Sequence, residues 1–423
     1  MSQSRRRPRI RRAQVAVLTA VSLVPVLGAV AFVTDGGLLL DQRRRVQATA
    51  DAAALAGAYE LYRHYAQSGG MDTNGAARAA ALEIADRAGY SASNGCTVEV
   101  NIPPRSGIHV GRVGYVEVQI RAPQRRTFSA IFGSGDLSVA GRAVARCRWS
   151  PFRAGLIVLR PQGRGTLNAV GNARADVINA PVYVNSSDAA GGLAVGNSVV
   201  SAPQFYFGGA PGYTTTGSAA FRGAIHSSQT PVPDPLAYLP PPDPSALPVR
   251  STRRLQLSGS GNVTLLPGVY VGGITMTGRV NVTLMPGVYY LQGGGLQVSG
   301  QGILTGNGVL IYNDPRSSAD DVNISGQGRV EMSAPAAGPY QGLVIYQRRD
   351  ATNTITVSGN GQTRITGTYY TANGTVRFVG NGAGDVLASQ VVTSQAVITG
   401  NGRLFIDYVE SQVARTRTLG LVE

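Results

Sequence analysis

The spacing of apolar and polar positions changes character along this chain of 423 residues. Ala13 to Val33 carries no charge, and 21 residues rising about 1.5 Å each span roughly 31 Å, the thickness of a bilayer's hydrocarbon core. This run predicts a transmembrane helix over residues 13–34. From Gly36 to about Gln67 the helical pattern continues, dense in alanine (Ala48, Ala50, Ala52, Ala53, Ala54, Ala56, Ala58), which gives high helix propensity and a smooth surface for close approach of other helices. That surface is either an assembly face or the ordinary packing face of an alanine-rich helix. Ser68-Gly69-Gly70 breaks the pattern, and Thr73 to Ala88 resumes it with Ala77, Ala80, Ala81, Ile84 and Ala88 on one face. The period then becomes two: Cys96 to Val100, Tyr115 to Ile120 and Leu137 to Cys147 alternate as half-buried strands do.

From Gly155 onward the texture is Gly, Asn, Thr, Val and Tyr, with internal repeats. Leu265-Leu266-Pro267-Gly268-Val269-Tyr270 recurs as Leu284-Met285-Pro286-Gly287-Val288-Tyr289, and turns of the form Gly-Asn or Gly-x-Gly recur at Gly171, Gly196, Gly259, Gly300, Gly326, Gly359, Gly380 and Gly400. Successive main turns fall about 19 to 26 residues apart, except for a longer gap before Gly359, roughly twice the spacing of hairpins, which predicts stacked coils of a parallel β-solenoid rather than antiparallel meanders. Gly and Asn suit its turns because both tolerate left-handed backbone. Residues 231–248 hold eight prolines in eighteen and can form neither an inner strand nor a helix. They predict an extended insertion in one solenoid, with a second loop around Pro335, Pro339 and Arg348-Arg349-Asp350, both being places where partners would bind.

Composition and charge refine this picture. Gly is 55 of 423 and charged residues only 14%, as expected of a turn-rich β body. Every basic residue is Arg, and of the +15 balance nine arginines flank the apolar run. Arg5, Arg6, Arg7, Arg9, Arg11 and Arg12 precede it, whereas Arg43, Arg44 and Arg45 are offset by Asp35, Asp41 and Asp51, so the bias keeps residues 1–12 cytoplasmic and exports the rest. The other arginines are scattered without interleaved aromatics, which excludes nucleic acid as a partner; anionic headgroups near Arg43 to Arg45 fit better. A competing reading is a cleaved secretory signal at Ala29-Val30-Ala31, releasing a chain that starts near Phe32. In an oxidising compartment Cys96 and Cys147 become a disulfide candidate closing a loop of about 50 residues.

The run that ends in Asp35-Gly36-Gly37, followed by a basic turn and then Gln47 and Asp51-Ala52-Ala53-Ala54-Leu55-Ala56, resembles the N-terminal segment of TadG-like proteins of the tight-adherence (Flp) pilus system, in which D-x-G leads to Q-x-x-x-D-A-A-A-L-A. The motif residues are Asp35, Gly37, Gln47, Asp51, Ala52, Ala53, Leu55 and Ala56. The resemblance implies a single-pass protein of the bacterial cytoplasmic membrane, with a pilin-like α+β region over 35–150 and partners among pilus or envelope proteins engaged through the first helix. Longer family members carry a D-x-S-x-S metal motif, which does not occur here, so no metal or other cofactor is expected. The expected fold is thus mainly β: a transmembrane helix, a small pilin-like region, and a right-handed parallel β-helix over 151–423.

Catalytic chemistry has little to stand on. The best acidic cluster is Asp320-Asp321 with Asp314 nearby, and paired carboxylates can act on glycosidic bonds; the bland reading is a polar loop capping a strand. His64, His109 and His226 are far apart in sequence, and no nucleophile-elbow, P-loop or zinc-protease motif occurs. A non-enzymatic envelope protein is expected, with a polysaccharide-binding or polysaccharide-cleaving solenoid as the alternative, favoured if Tyr270, Tyr289 or Tyr369 form an exposed stacked row.

Overall fold

The structure, a computed structural model, describes residues 10–128, 130, 133, 135–359, 362–381 and 383–423. Arg5, Arg6, Arg7 and Arg9 and the turn residues Asn360, Gly361 and Gly382 lie outside them. The chain divides into two units, Met1–Trp149 with Arg417–Glu423, and Ser150–Thr416.

In the first unit the apolar run and the alanine-rich stretch form one helix, α1 (Ile10–Ser68), with Pro25 inside it. Gly36-Gly37 does not interrupt it: the pair is followed by Leu38, Leu39 and Leu40, good helix formers, and each glycine costs a helix only about 1 kcal/mol. Between Val17 and Val33 the apolar side chains, Ala31 excepted, stand exposed, Val24 at 71% and Phe32 at 81%, a surface suited to hydrocarbon rather than water. Further along, Val46, Ala50, Ala53, Ala54, Ala58 and Leu61 are buried at helical spacing and form one core with Ala77, Ala81 and Ala85 of α2 (Ala76–Arg87) and with the sheet. Asp72 starts α2 by accepting the backbone N–H groups of Ala77 and Arg78, both at 3.0 Å.

The sheet is β1 (Thr97–Asn101), β2 (Tyr115–Gln124) and β3 (Leu137–Pro151) in antiparallel order. A fourth strand, Arg415–Leu421, lies beside β3 and arrives from the far end of the sequence. A division at residue 150 with everything after it in the solenoid therefore misplaces the last residues, since Val422 donates to the Val144 carbonyl at 2.8 Å and Val144 donates to Glu423 at 2.9 Å. The solenoid is an insertion between two strands of the first unit's sheet.

That solenoid is a stack of 27 strands among the described residues, paired in parallel and in register over long columns. Inward positions stack like on like: Leu255, Ile274, Leu296, Val322 and Ile355 form one column of the single continuous interior core. The order of rungs does not follow the sequence. Residues 156–226 build three rungs away from the point where the chain arrives, and residues 249–407 build the remainder starting from the opposite end. The last rung then closes on the first, Val391 to Thr393 pairing with Leu156 to Val158 and Arg403 to Asp407 with Arg174 to Ile178. Residues 227–248 join the two ends of the stack along its outside.

The repeated turns follow the predicted logic. Gly171, Gly196 and Gly217 stack in register with φ of +85°, +83° and +79°, and a Cβ on Gly217 would sit 2.7 Å from the Gly196 carbonyl. Beside this column the asparagines form an amide ladder: Asn197 donates to Asn172 at 2.9 Å and Asn172 to Asn401 at 3.1 Å.

Candidate functional site

Four of the motif residues of α1, Asp35, Gln47, Asp51 and Ala53, lie where the helix docks on its own unit. Gln47 turns its amide onto the backbone of β3, donating to the Arg142 carbonyl at 2.8 Å and accepting the Arg142 N–H at 3.2 Å, so the side chain pairs as a neighbouring strand would. Asp51, one turn later, accepts from the same Gln47 amide at 2.8 Å and fixes its orientation. The helix can come this close because position 141 is glycine: a Cβ there would lie 2.9 Å from Val46 and 3.0 Å from the Gln47 nitrogen. Asp35 accepts the backbone N–H groups of Thr127 and Phe128 at 3.3 and 3.2 Å. Ala53 is fully buried, Leu55 and Ala56 are half-buried, and Ala52 faces outward. Gly37 has nothing within 4 Å of its Cβ position. Of the alanine-rich surface, Ala50, Ala53, Ala54 and Ala58 are therefore consumed by the chain's own α2 and sheet rather than offered to other helices.

Next to this surface lies a buried ionic network that the sequence did not signal. Glu117 on β2 is fully buried and receives Asn101 Nδ2 at 3.1 Å, the Arg105 N–H at 2.9 Å, Arg142 Nε at 2.8 Å and the Ser106 hydroxyl. Burial raises its pKa, but the donors from Ser106, Arg105, Arg142 and Asn101 outweigh this and hold it down at about 2. Arg142 also binds the carboxylate of Glu423, tying the returning chain to β3. Nothing in the alternation warned of it: Val116, Val118 and Ile120 are the core-facing positions of β2, and Glu117 lies on the opposite face, where Asn101, Arg105, Ser106 and Arg142 cover it.

On the solenoid, the residues proposed for chemistry go elsewhere. Asp320 accepts the backbone N–H groups of Arg316 and Ser317 at 2.8 and 2.9 Å and its pKa is lowered, burial opposing these hydrogen bonds; a glycosidic acid needs the reverse shift. Asp321 accepts Thr354 N–H at 2.9 Å, and Asp314 pairs with Arg348 at 2.7 Å, so the three carboxylates serve three separate partners. His64 stands beside Glu60 on α1, His109 stacks on Tyr115 and His226 on Tyr206, each in its own place. Among the described residues no group of three or more His, Cys, Asp or Glu could hold a metal ion.

The cysteine pairing is corrected by strand register. Thr97, next to Cys96, is level with Ala140 across β2, and Ala140 is seven positions from Cys147 along β3. At about 3.3 Å per residue that is roughly 23 Å, whereas a disulfide needs Cα atoms within about 7 Å. The two do not bond to one another in this fold.

The tyrosine row that would have favoured the polysaccharide alternative is not exposed. Tyr270, Tyr289 and Tyr369 are buried at 2%, 0% and 0% exposure in the interior. A different column, Tyr290, Tyr312, Tyr346 and Tyr370, stacks in register on the outer face with ring centroids 4.9, 4.9 and 5.1 Å apart, and it too is covered. Its cover is the proline-rich segment: Leu236 and Leu239 pack into the same cluster, Tyr370 donates to Asp234 at 2.6 Å, and Arg349 donates to the carbonyls of Leu236 and Leu239 at 2.7 and 2.5 Å. The insertion is a strap fastened along the stack, and the region around Arg348-Arg349-Asp350 follows a buried strand, Leu343–Gln347, and holds the strap down. The open surface lies instead on another face, where Thr264, Thr283, Thr305, Glu331 and Arg364 align in register. Part of it is a groove of about 560 Å³ lined by Thr283, Met285, Thr305, Asn307, Glu331 and Arg364.

Residues 13–60 match the family model described as "Putative Flp pilus-assembly TadE/G-like", the stretch in which Asp35, Gln47 and Asp51 make the contacts above. No match was found among curated proteins or among solved structures.

Proposed function

We propose that this chain, which carries a TadE/G-like domain at residues 13–60, is a non-enzymatic cell-envelope protein of a Tad/Flp pilus system, held in the cytoplasmic membrane by the first part of α1 with its solenoid exported. The observation that carries this is the division of α1: an apolar surface from Val17 to Val33 that is exposed at all but Ala31, then a docked face from Val46 to Leu61 bearing Gln47, Asp51 and Ala53. The solenoid acts as a rigid spacer or binding platform. Its columns of paired backbone and stacked side chains, fastened by the strap, resist bending, and its open polar faces meet other envelope components. Fractionation of cells making the native chain, with mass spectrometry of its N-terminus, tests the reading. An intact N-terminus in the alkali-resistant membrane pool is expected; a chain beginning near Phe32 in the medium would overturn it.

A second reading, a polysaccharide-binding solenoid, is favoured by the polar groove at Glu331 and Arg364 rather than by tyrosines. Binding of an acidic glycan that is lost in Arg364→Ala with the fold intact would support it.

A further inference from the structure

The β2–β3 hairpin runs down α1 toward the apolar segment, pinned at two levels. Gln47 holds Arg142 near the middle of β3, and Asp35, twelve positions earlier on α1, holds Thr127 and Phe128 just past the end of β2. Twelve helical residues rise about 18 Å, so the hairpin tip lies that far toward the N-terminus from the Gln47 contact. Asp35 itself stands only two residues, about 3 Å of rise, beyond Val33, where the uncharged run ends. The tip is thereby fixed at the level where a bilayer's headgroups would surround α1.

What the tip presents is specific. Arg125 is exposed, Arg126 is half-buried with its Nε on the Gly135 carbonyl at 3.1 Å, and Phe128 is 50% exposed. An exposed aromatic ring beside guanidinium groups is costly in water but matches the boundary between headgroups and acyl chains, where the ring enters hydrocarbon and the cations meet lipid phosphates. The Asp35 contacts to the backbone N–H groups of Thr127 and Phe128 set the position of the tip.

We propose that residues Arg125 to Phe128 form a second membrane contact, with Phe128 inserted at the interface and Arg125 and Arg126 bound to anionic phospholipid headgroups. This rests on the anchored reading of α1. One helix alone is free to rotate about its axis; a helix with a side contact is not. The two contacts together fix the azimuth of α1 and of the sheet docked on it.

The test uses the full chain with Phe128→Trp and Trp149→Phe, so that a single tryptophan reports from the tip, reconstituted in vesicles of phosphatidylcholine alone or with about one-third phosphatidylglycerol. Flotation after alkaline extraction first establishes that the chain is integrated; a chain that fails to float overturns the anchored reading itself. For the integrated chain, the expected result is blue-shifted emission that is quenched more by lipids brominated near the headgroup than by lipids brominated deep in the chain. The phosphatidylglycerol vesicles should strengthen the effect, and Arg125→Gln should remove that dependence. A floated chain whose emission stays at the aqueous position and is quenched by no brominated lipid overturns the proposal while leaving the anchor standing.

Discussion

Gln47 does the work of a short strand with one side chain, because its amide satisfies both backbone groups of Arg142. Gln47→Ala leaves both without that partner and should destabilise the first unit by about 1–3 kcal/mol, seen as a lower denaturation midpoint in detergent. Gln47→Glu, which accepts but cannot donate, should lose most of the same amount. Glu117 makes the pH dependence of this unit explicit. Its folded pKa, about 2, lies below the ordinary 4.5, so the unfolded chain binds more protons between the two values. The stability that Glu117 contributes is present above pH 4.5 and is lost as pH falls toward 2. Arg142→Met leaves the buried carboxylate without its cation; a cost of about 3–5 kcal/mol and an acid transition moved to higher pH are expected from denaturation measured across pH. A pH-independent cost would contradict this assignment.

At the scale of elements, strap and rungs can be separated experimentally. Arg349→Ala removes the donor to the Leu236 and Leu239 carbonyls and a neighbour of Tyr370, so hydrogen exchange and protease cleavage at residues 231–248 should rise while the rungs stay protected. In the glycine column, a Cβ on Gly400 would meet the Gly380 carbonyl, at a φ of +104°, so Gly400→Ala should destabilise the stack more than an alanine at Gly259, whose φ of +86° carries a similar backbone strain but whose Cβ position has nothing within 4 Å. Much of this was legible in the sequence where periodicity speaks: β1, β2, β3 and the rungs follow alternating residues, and the turns follow Gly and Asn. What was not legible depends on distant partners. Tyr289-Tyr290 and Tyr369-Tyr370 are adjacent pairs in which one ring faces the interior and the other lies under the strap, a choice made by Leu236, Leu239 and Asp234 far along the chain. Proline content announced an extended segment but not its course. Cys96, just before β1, and Cys147, near the end of β3, sit at opposite ends of two strands separated by β2, and only register shows it.

For the whole molecule, the insertion of the solenoid between β3 and the strand Arg415–Leu421 has a mechanical consequence. Because the last rung stacks on the first, both connections leave from adjacent rungs. Neither end of the stack is a chain terminus, and the permuted rung order could not be read from sequence, since parallel rungs with the same inward pattern are interchangeable partners. Asp35, Gln47, Asp51 and Ala53 account for how α1 grips its own unit, and in the function proposed above the exposed run early in α1 is where the membrane holds the chain. The central claim is therefore one of topology: residues before Ala13 inside, solenoid outside. It is tested most directly with single cysteines in a chain carrying Cys96→Ser and Cys147→Ala, labelled with a membrane-impermeant maleimide in intact spheroplasts. Gln256→Cys, on an exposed solenoid position, should label before lysis and Ser4→Cys only after it; the reverse pattern, or labelling of both only after lysis, would contradict the account.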